Sequence, residues 1–154
     1  MPLAIALHLL SAVIWVGGMF FAYVALRPVA ASLLEPPLRM PLWVNTFKRF
    51  FPWVWAAVIL LPATGYWIAL ILYRSMANLP LYIDIMQGIG ILMILLFLHV
   101  YFAPFRRMQQ ALAANDLKEA GRRLGQIRRL IGINLTLGLI VVVVASAGRY
   151  WGLM

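Results

Sequence analysis

Residues 4–27 read AIALHLLSAVIWVGGMFFAYVALR, a stretch with no charged residue before Arg27. About 20 apolar residues suffice to cross the hydrocarbon of a bilayer, so this stretch can span one unaided. Apolar residues lie all round its helical circumference and leave no polar stripe for water. It is therefore a lipid-facing helix and not a soluble amphipathic one. It also carries His8, one of the two histidines in the chain.

The same character extends along the chain. Of 154 residues, 65% are hydrophobic and 11% charged, more apolar surface than a soluble domain of this size can hide. There is no cysteine, which excludes disulfides, iron–sulfur clusters and thiolate zinc sites. The net charge of +9 would point to nucleic acid in a soluble protein. In a membrane protein it is better assigned to basic loops facing anionic headgroups, and no nucleic-acid partner is expected. A cleaved signal peptide would need a basic start and a short apolar core. No basic side chain precedes His8 and the apolar run is longer, so a retained span is expected.

Three further apolar stretches repeat the first. Spans are expected at about 3–27, 50–73, 81–105 and 130–148, forming one four-span domain over 1–154. The fold class is all-α, an integral membrane four-helix bundle. Arg27-Pro28 closes the first span, and Pro36, Pro37 and Pro41 in the following connection argue against a long regular helix there. Trp43, Phe47, Lys48 and Arg49 read as an interfacial segment at headgroup level. In the second span Pro52 falls in the first turn, while Pro62 is interior and should kink the helix near Thr64-Gly65. Arg74 to Pro80 is a short turn. Residues 106–129 alternate Ala and Leu with Arg, Gln, Asp and Glu, and read as an amphipathic helix on the membrane surface.

The loops between spans one and two and between three and four hold eleven of the thirteen Lys and Arg residues; the other face has Arg74 and Arg149. The positive-inside rule puts the eleven in the cytoplasm and both termini on the non-cytoplasmic side. The expected location is a bacterial inner membrane, crossed several times.

Depth limits which polar residues can meet, because a helix rises about 1.5 Å per residue. With span one centred near Ile14 and span three near Leu92, His8 and Met86 each lie roughly 9 Å to one side of the midplane and Asp84 roughly 12 Å. His99 lies about 10 Å to the other side, so the two histidines are some 20 Å apart along the normal and cannot share one haem or one copper ion. One group is then His8, Asp84, Met86 and Gln87, with Arg149 and Tyr150. The other is His99, Met19 and Asn134. Imidazole and thioether suit copper, thioether favouring Cu(I), and a His/Met pair also serves haem. The plainer alternatives stand beside these. Either histidine suits an interfacial residue bonded to a backbone carbonyl. Met86, Gly90, Met93 and Phe97 share one helical face, as packing residues do. Asp84 is costly within a span, but Arg74 or Arg149 could pair with it. Gly17, Gly18, Gly88, Gly90 and Gly138 are expected to allow close helix contact.

The four acidic residues are Glu35, Asp84, Asp116 and Glu119. No Ser/His/Asp set, phosphate loop, carboxylate pair or HExxH motif is present, so no catalytic residue is assigned and an enzyme is not the leading expectation.

Four stretches carry a family resemblance: ALHLLSAVIWVGGMFFAYVALRP (6–28), RFFPWVWAAVILLPATGYW (49–67), MQGIGILMILLFLHVYFAPFRRM (86–108) and IRRLIGINLTLGLIVVVVASAGRY (127–150). They resemble the small four-span membrane proteins grouped with the CopD copper-resistance family. The pattern H-x-x-x-A-x-x-W-x-G-G, here His8, Ala12, Trp15, Gly17 and Gly18, is the most specific part. The first span is also similar to HemJ, a four-helix haem protein associated with protoporphyrinogen oxidation. HemJ-like chains carry His and Lys near the start of the third span, where this chain has Asp84 and Met86. The resemblance implies His8 as a ligand and His99 as a second. It implies copper binding, transport or resistance; together with their common depth, it makes His8, Asp84 and Met86 the expected metal set. The alternatives are a haem b redox protein using His8 with Met86 or His99 with Met19, and a ligand-free accessory subunit of a membrane complex. Expected partners are the lipid bilayer and a second copy of the chain or a periplasmic copper protein.

Overall fold

The computed structural model describes residues 1–74 and 79–150, with the backbone alone at 149. Most of the expected turn between Arg74 and Pro80 lies outside the described residues, as do Trp151 and the Arg149 side chain. The described chain forms α1 (Pro2–Phe20), α2 (Arg27–Leu33), α3 (Pro36–Tyr73), α4 (Leu81–Val100), α5 (Arg106–Ala113) and α6 (Leu117–Ala147). π-helical turns, Phe21–Leu26 and Tyr101–Phe105, join α1 to α2 and α4 to α5 without interruption. The result is four long rods, Pro2–Leu33, Pro36–Tyr73, Leu81–Ala113 and Leu117–Ala147, each long and apolar enough to cross a membrane. Among the described residues there is no strand. The chain is an all-α membrane protein.

The burial pattern follows from the solvent. On α1 the buried residues are Ser11, Trp15 and Met19, one stripe at a spacing of four. Leu3, Leu9, Val13 and Phe20 on its other faces are exposed, as are Ile59, Leu70, Leu95 and Val143 on the other rods. Lipid is as apolar as these side chains, so nothing drives them inward. Contact between rods comes from packing. α1 lies chiefly on α3 and α4 on α6, and the two pairs close on each other through large aromatic rings. At Gly138 a Cβ would sit 2.9 Å from Val16 Cγ2 and 3.1 Å from Met93 Cε, so its hydrogen lets α1, α4 and α6 meet. Gly17, Gly88 and Gly90 have no such neighbour within 4 Å and do not mark helix contacts, contrary to the expectation for them.

The rods overrun the expected span limits at their basic ends, and the prolines there do not stop them. Pro28 is the second residue after the first π turn, where i→i−5 bonding gives its ring room that an α turn denies. Pro36 and Pro37 sit in the first turn of α3, where no intrahelical acceptor awaits their missing N–H. Pro41 costs one hydrogen bond, outweighed by the burial of Met40, Trp43, Val44 and Phe47 around it. Trp43 and Phe47 are therefore core residues and not headgroup anchors. Their rings continue into Phe51, Phe105, Phe97 and Tyr101, with Phe47 stacked on Phe51 at 5.2 Å and Phe51 edge-on to Phe105 at 4.8 Å. Lys48 and Arg49 face outward.

Residues 106–129 form a helical hairpin and not one surface helix. The chain reverses at Ala114–Asp116, with Asn115 in the left-handed region (φ 56°). The two arms pack through Met108, Ala111, Ala120 and Ile127, all buried. The Asp116 carboxylate accepts the Glu119 N–H at 2.9 Å and caps α6. Glu119 accepts from Arg122 at 2.7 Å and Arg123 at 2.6 Å. Hydrogen bonds from Arg122, then from Arg123, hold its carboxyl down at about 2, against an ordinary 4.5. A depressed carboxyl stabilises the fold above its ordinary value and stops doing so as pH falls through the depressed one. NMR titration of the Glu119 side chain is expected to show a midpoint near 2, returning toward 4.5 when Arg122 and Arg123 are both changed to Ala.

Candidate functional site

The histidine that opens the first span meets the helix that α1 packs against. His8 is half-buried, and its Nδ1 lies 2.9 Å from Thr64 Oγ1 on α3. Pro62 has no N–H, so this turn of α3 has one backbone donor fewer. Thr64, two residues on, turns its hydroxyl back to the Leu60 carbonyl, with the Leu61 carbonyl at 3.3 Å. Gly65 completes the seat. A Cβ there would stand 3.2 Å from His8 Cε1, so the glycine lets the imidazole lie close against α3.

This arrangement favours one tautomer of His8. The Thr64 hydroxyl has one proton, and a carbonyl oxygen can only accept, so that proton belongs to Leu60. Thr64 Oγ1 can then only accept from the imidazole, which places the ring proton on Nδ1. In the neutral ring Nε2 keeps its lone pair. The ring also meets the Leu61 backbone; a histidine hydrogen-bonded at one nitrogen can present the other to a metal or haem. Thr64 is the residue that reading the sequence missed. Its signal was present, a hydroxyl two residues beyond an interior proline, but an all-round apolar helix does not reveal which face meets α3.

The bundle also sets depth. Val16 and Met93 both lie against Gly138 and so mark one level on two helices that run the same way. His8 is eight residues before Val16, while Met86 is seven and Asp84 nine before Met93. All three lie within about 2 Å of one level, at the end of the bundle that holds Met1 and Ala147. His99 is six residues beyond Met93, so the two histidines are about 21 Å apart along the axis. Laterally, the described partner of His8 comes from α3, whereas Met86 (half-buried) and Asp84 (exposed) are carried by α4. Asp84 is in no ion pair among the described residues. At the other end His99 is exposed, while Met19 is buried in the core, so the two side chains face different surroundings. Asn134 is buried too; its Nδ2 donates to the Met93 carbonyl at 3.3 Å and its Oδ1 has no described partner. Among the described residues no three His, Asp or Glu side chains gather as a metal site.

Four helices long and apolar enough to cross a membrane define a multi-span membrane protein. The chain belongs to the CopD family, copper resistance protein D, whose pattern matches residues 44–147. It is a copper-resistance-related membrane protein. No curated protein and no solved structure matches it. The likeness to HemJ and its haem reading gain no support from these comparisons.

Proposed function

We propose that this protein binds Cu(I) and passes it at a bacterial inner membrane. His8 Nε2 is the imidazole donor, the Met86 thioether a second soft donor, and Asp84 a carboxylate at the mouth that attracts the cation. One observation carries this reading: the 2.9 Å contact of His8 Nδ1 with Thr64 Oγ1, which supports a proton on Nδ1 and a lone pair on Nε2. The common level of His8, Met86 and Asp84 supports it, and so does membership of the copper-resistance family. The eleven basic residues at the opposite end support an orientation with that end in the cytoplasm and both termini, with His8, on the non-cytoplasmic side. With so few donors, the remaining ligands come from a second copy of the chain or from a periplasmic copper protein that hands over its ion.

Competition with a chromophoric Cu(I) chelator tests this on protein in bilayer discs. Wild type is expected to retain Cu(I). Met86→Leu keeps the volume and removes the sulfur, and is expected to weaken binding by about tenfold, the loss of one soft ligand of several. Failure of the wild type to compete with the chelator at all would contradict the proposal.

A further inference from the structure

A second feature lies at the basic end, far from His8. A cleft of about 650 Å³ opens between the α1–α2 rod, the start of α3, and α6. Its α6 wall runs from Gly121 to Ile131, about 15 Å along the axis. The inner part is apolar, with Ala22, Phe47 and Ile131, and the π turn supplies Tyr23. Arg27, Arg39 and Arg128 stand along the cleft, one from each wall, and no carboxylate lines it.

These arginines are placed but not neutralised. The Arg27 guanidinium lies 4.9 Å over the Tyr23 ring. Arg39 Nη1 donates to the Ala31 carbonyl at 3.4 Å. Among the described residues the ion pairs are those of Glu119, which take up Arg122 and Arg123 and none of the three in the cleft. Gly121 and Gly125, one helical turn apart, line the same wall. A Cβ at either would meet nothing within 4 Å, so the groove is open space there and not a helix contact. Three guanidinium groups around one hollow repel each other unless an anion sits among them, and guanidinium forks match phosphate oxygens. A free phosphate would explain the arginines and leave the apolar interior unused. A phosphate that carries an acyl chain uses both, and basic pockets between membrane helices at the headgroup level suit such molecules.

We propose that this cleft binds one anionic phospholipid of the leaflet at the basic end, its phosphate between Arg27, Arg39 and Arg128 and the start of its acyl chain along Tyr23, Phe47 and Ile131. The bound lipid ties the α2–α3 connection to α6.

The test uses the full chain in mild detergent, with lipid retention read by native mass spectrometry and unfolding read by melting temperature. The probes are phosphatidylglycerol, phosphatidylcholine and inorganic phosphate. Wild type is expected to retain one phosphatidylglycerol and to melt higher with it, with little response to the other two. The double variant Arg39→Gln/Arg128→Gln is expected to lose at least tenfold in phosphatidylglycerol affinity, while Arg107→Gln, another basic change at the same end, does not. Gly125→Leu fills the groove with every arginine in place and is expected to lose binding as well, which decides the matter if the double variant misfolds. Equal retention of phosphatidylcholine, equal protection by inorganic phosphate, or undiminished binding in Gly125→Leu would overturn the proposal.

Discussion

His8→Ala is expected to lower Cu(I) affinity by about 100-fold or more, and Thr64→Val by about tenfold. The first change removes the only imidazole at its end of the bundle, since His99 lies about 21 Å away along the axis. Thr64→Val is the more telling change because Val keeps the shape and cannot ligate or hydrogen-bond. Without the hydroxyl, Nδ1 loses its acceptor, the ring is free to rotate, and either nitrogen can carry the proton. Thr64→Ser restores the hydroxyl and is expected to restore most of the affinity. Chelator competition on the four proteins measures the series. Equal affinity in wild type and His8→Ala would remove His8 from the site. Equal affinity in wild type and Thr64→Val would separate Thr64 from its proposed positioning role.

The second large effect concerns the fold. Phe51→Ala is expected to destabilise the protein by about 2–3 kcal/mol, whereas Phe20→Ala changes stability by no more than about 0.5 kcal/mol. Both remove the same atoms. In a bilayer the transfer of a phenyl ring from lipid to protein contributes little, since both surroundings are apolar. What differs is packing. Phe51 is buried and in ring contact with Phe47, Phe97, Tyr101 and Phe105, so its removal leaves a cavity where α3 meets α4 and the second π turn. Phe20 is about half exposed to lipid, which closes over the gap. Reversible unfolding in mixed micelles compares the two. A similar cost for both would mean that the aromatic cluster does not hold the helix pairs together.

Much of this was legible in the sequence because membrane spans obey simple arithmetic. A run of apolar residues long enough to cross is a crossing helix, and rise per residue places His8, Met86 and Asp84 on one level and His99 on another. Lateral position was not legible. A helix that is apolar all round gives no sign of which stripe is buried, so the pairing of His8 with Thr64 and Gly65 had to come from the fold. The prolines misled for a related reason. Pro28 and Pro41 break helices in isolation, but a preceding π turn and a dense aromatic neighbourhood change the balance. Trp43 and Phe47 beside Lys48 and Arg49 look interfacial by composition. They are core because Phe105, 58 residues beyond Phe47, arrives edge-on to it at 5.9 Å. The arginine-lined cleft joins residues from three separate stretches, and sequence alone counts them only as surface charge.

Nitrogen-15 NMR of histidine-labelled protein in bilayers, with and without Cu(I), tests the central claim most directly. The account predicts that His8 in the metal-free protein shows a protonated Nδ1 and an unprotonated Nε2, and that Cu(I) shifts the Nε2 resonance while Nδ1 keeps its proton. A His8 ring protonated at Nε2, or an Nε2 resonance unmoved by Cu(I), would contradict it.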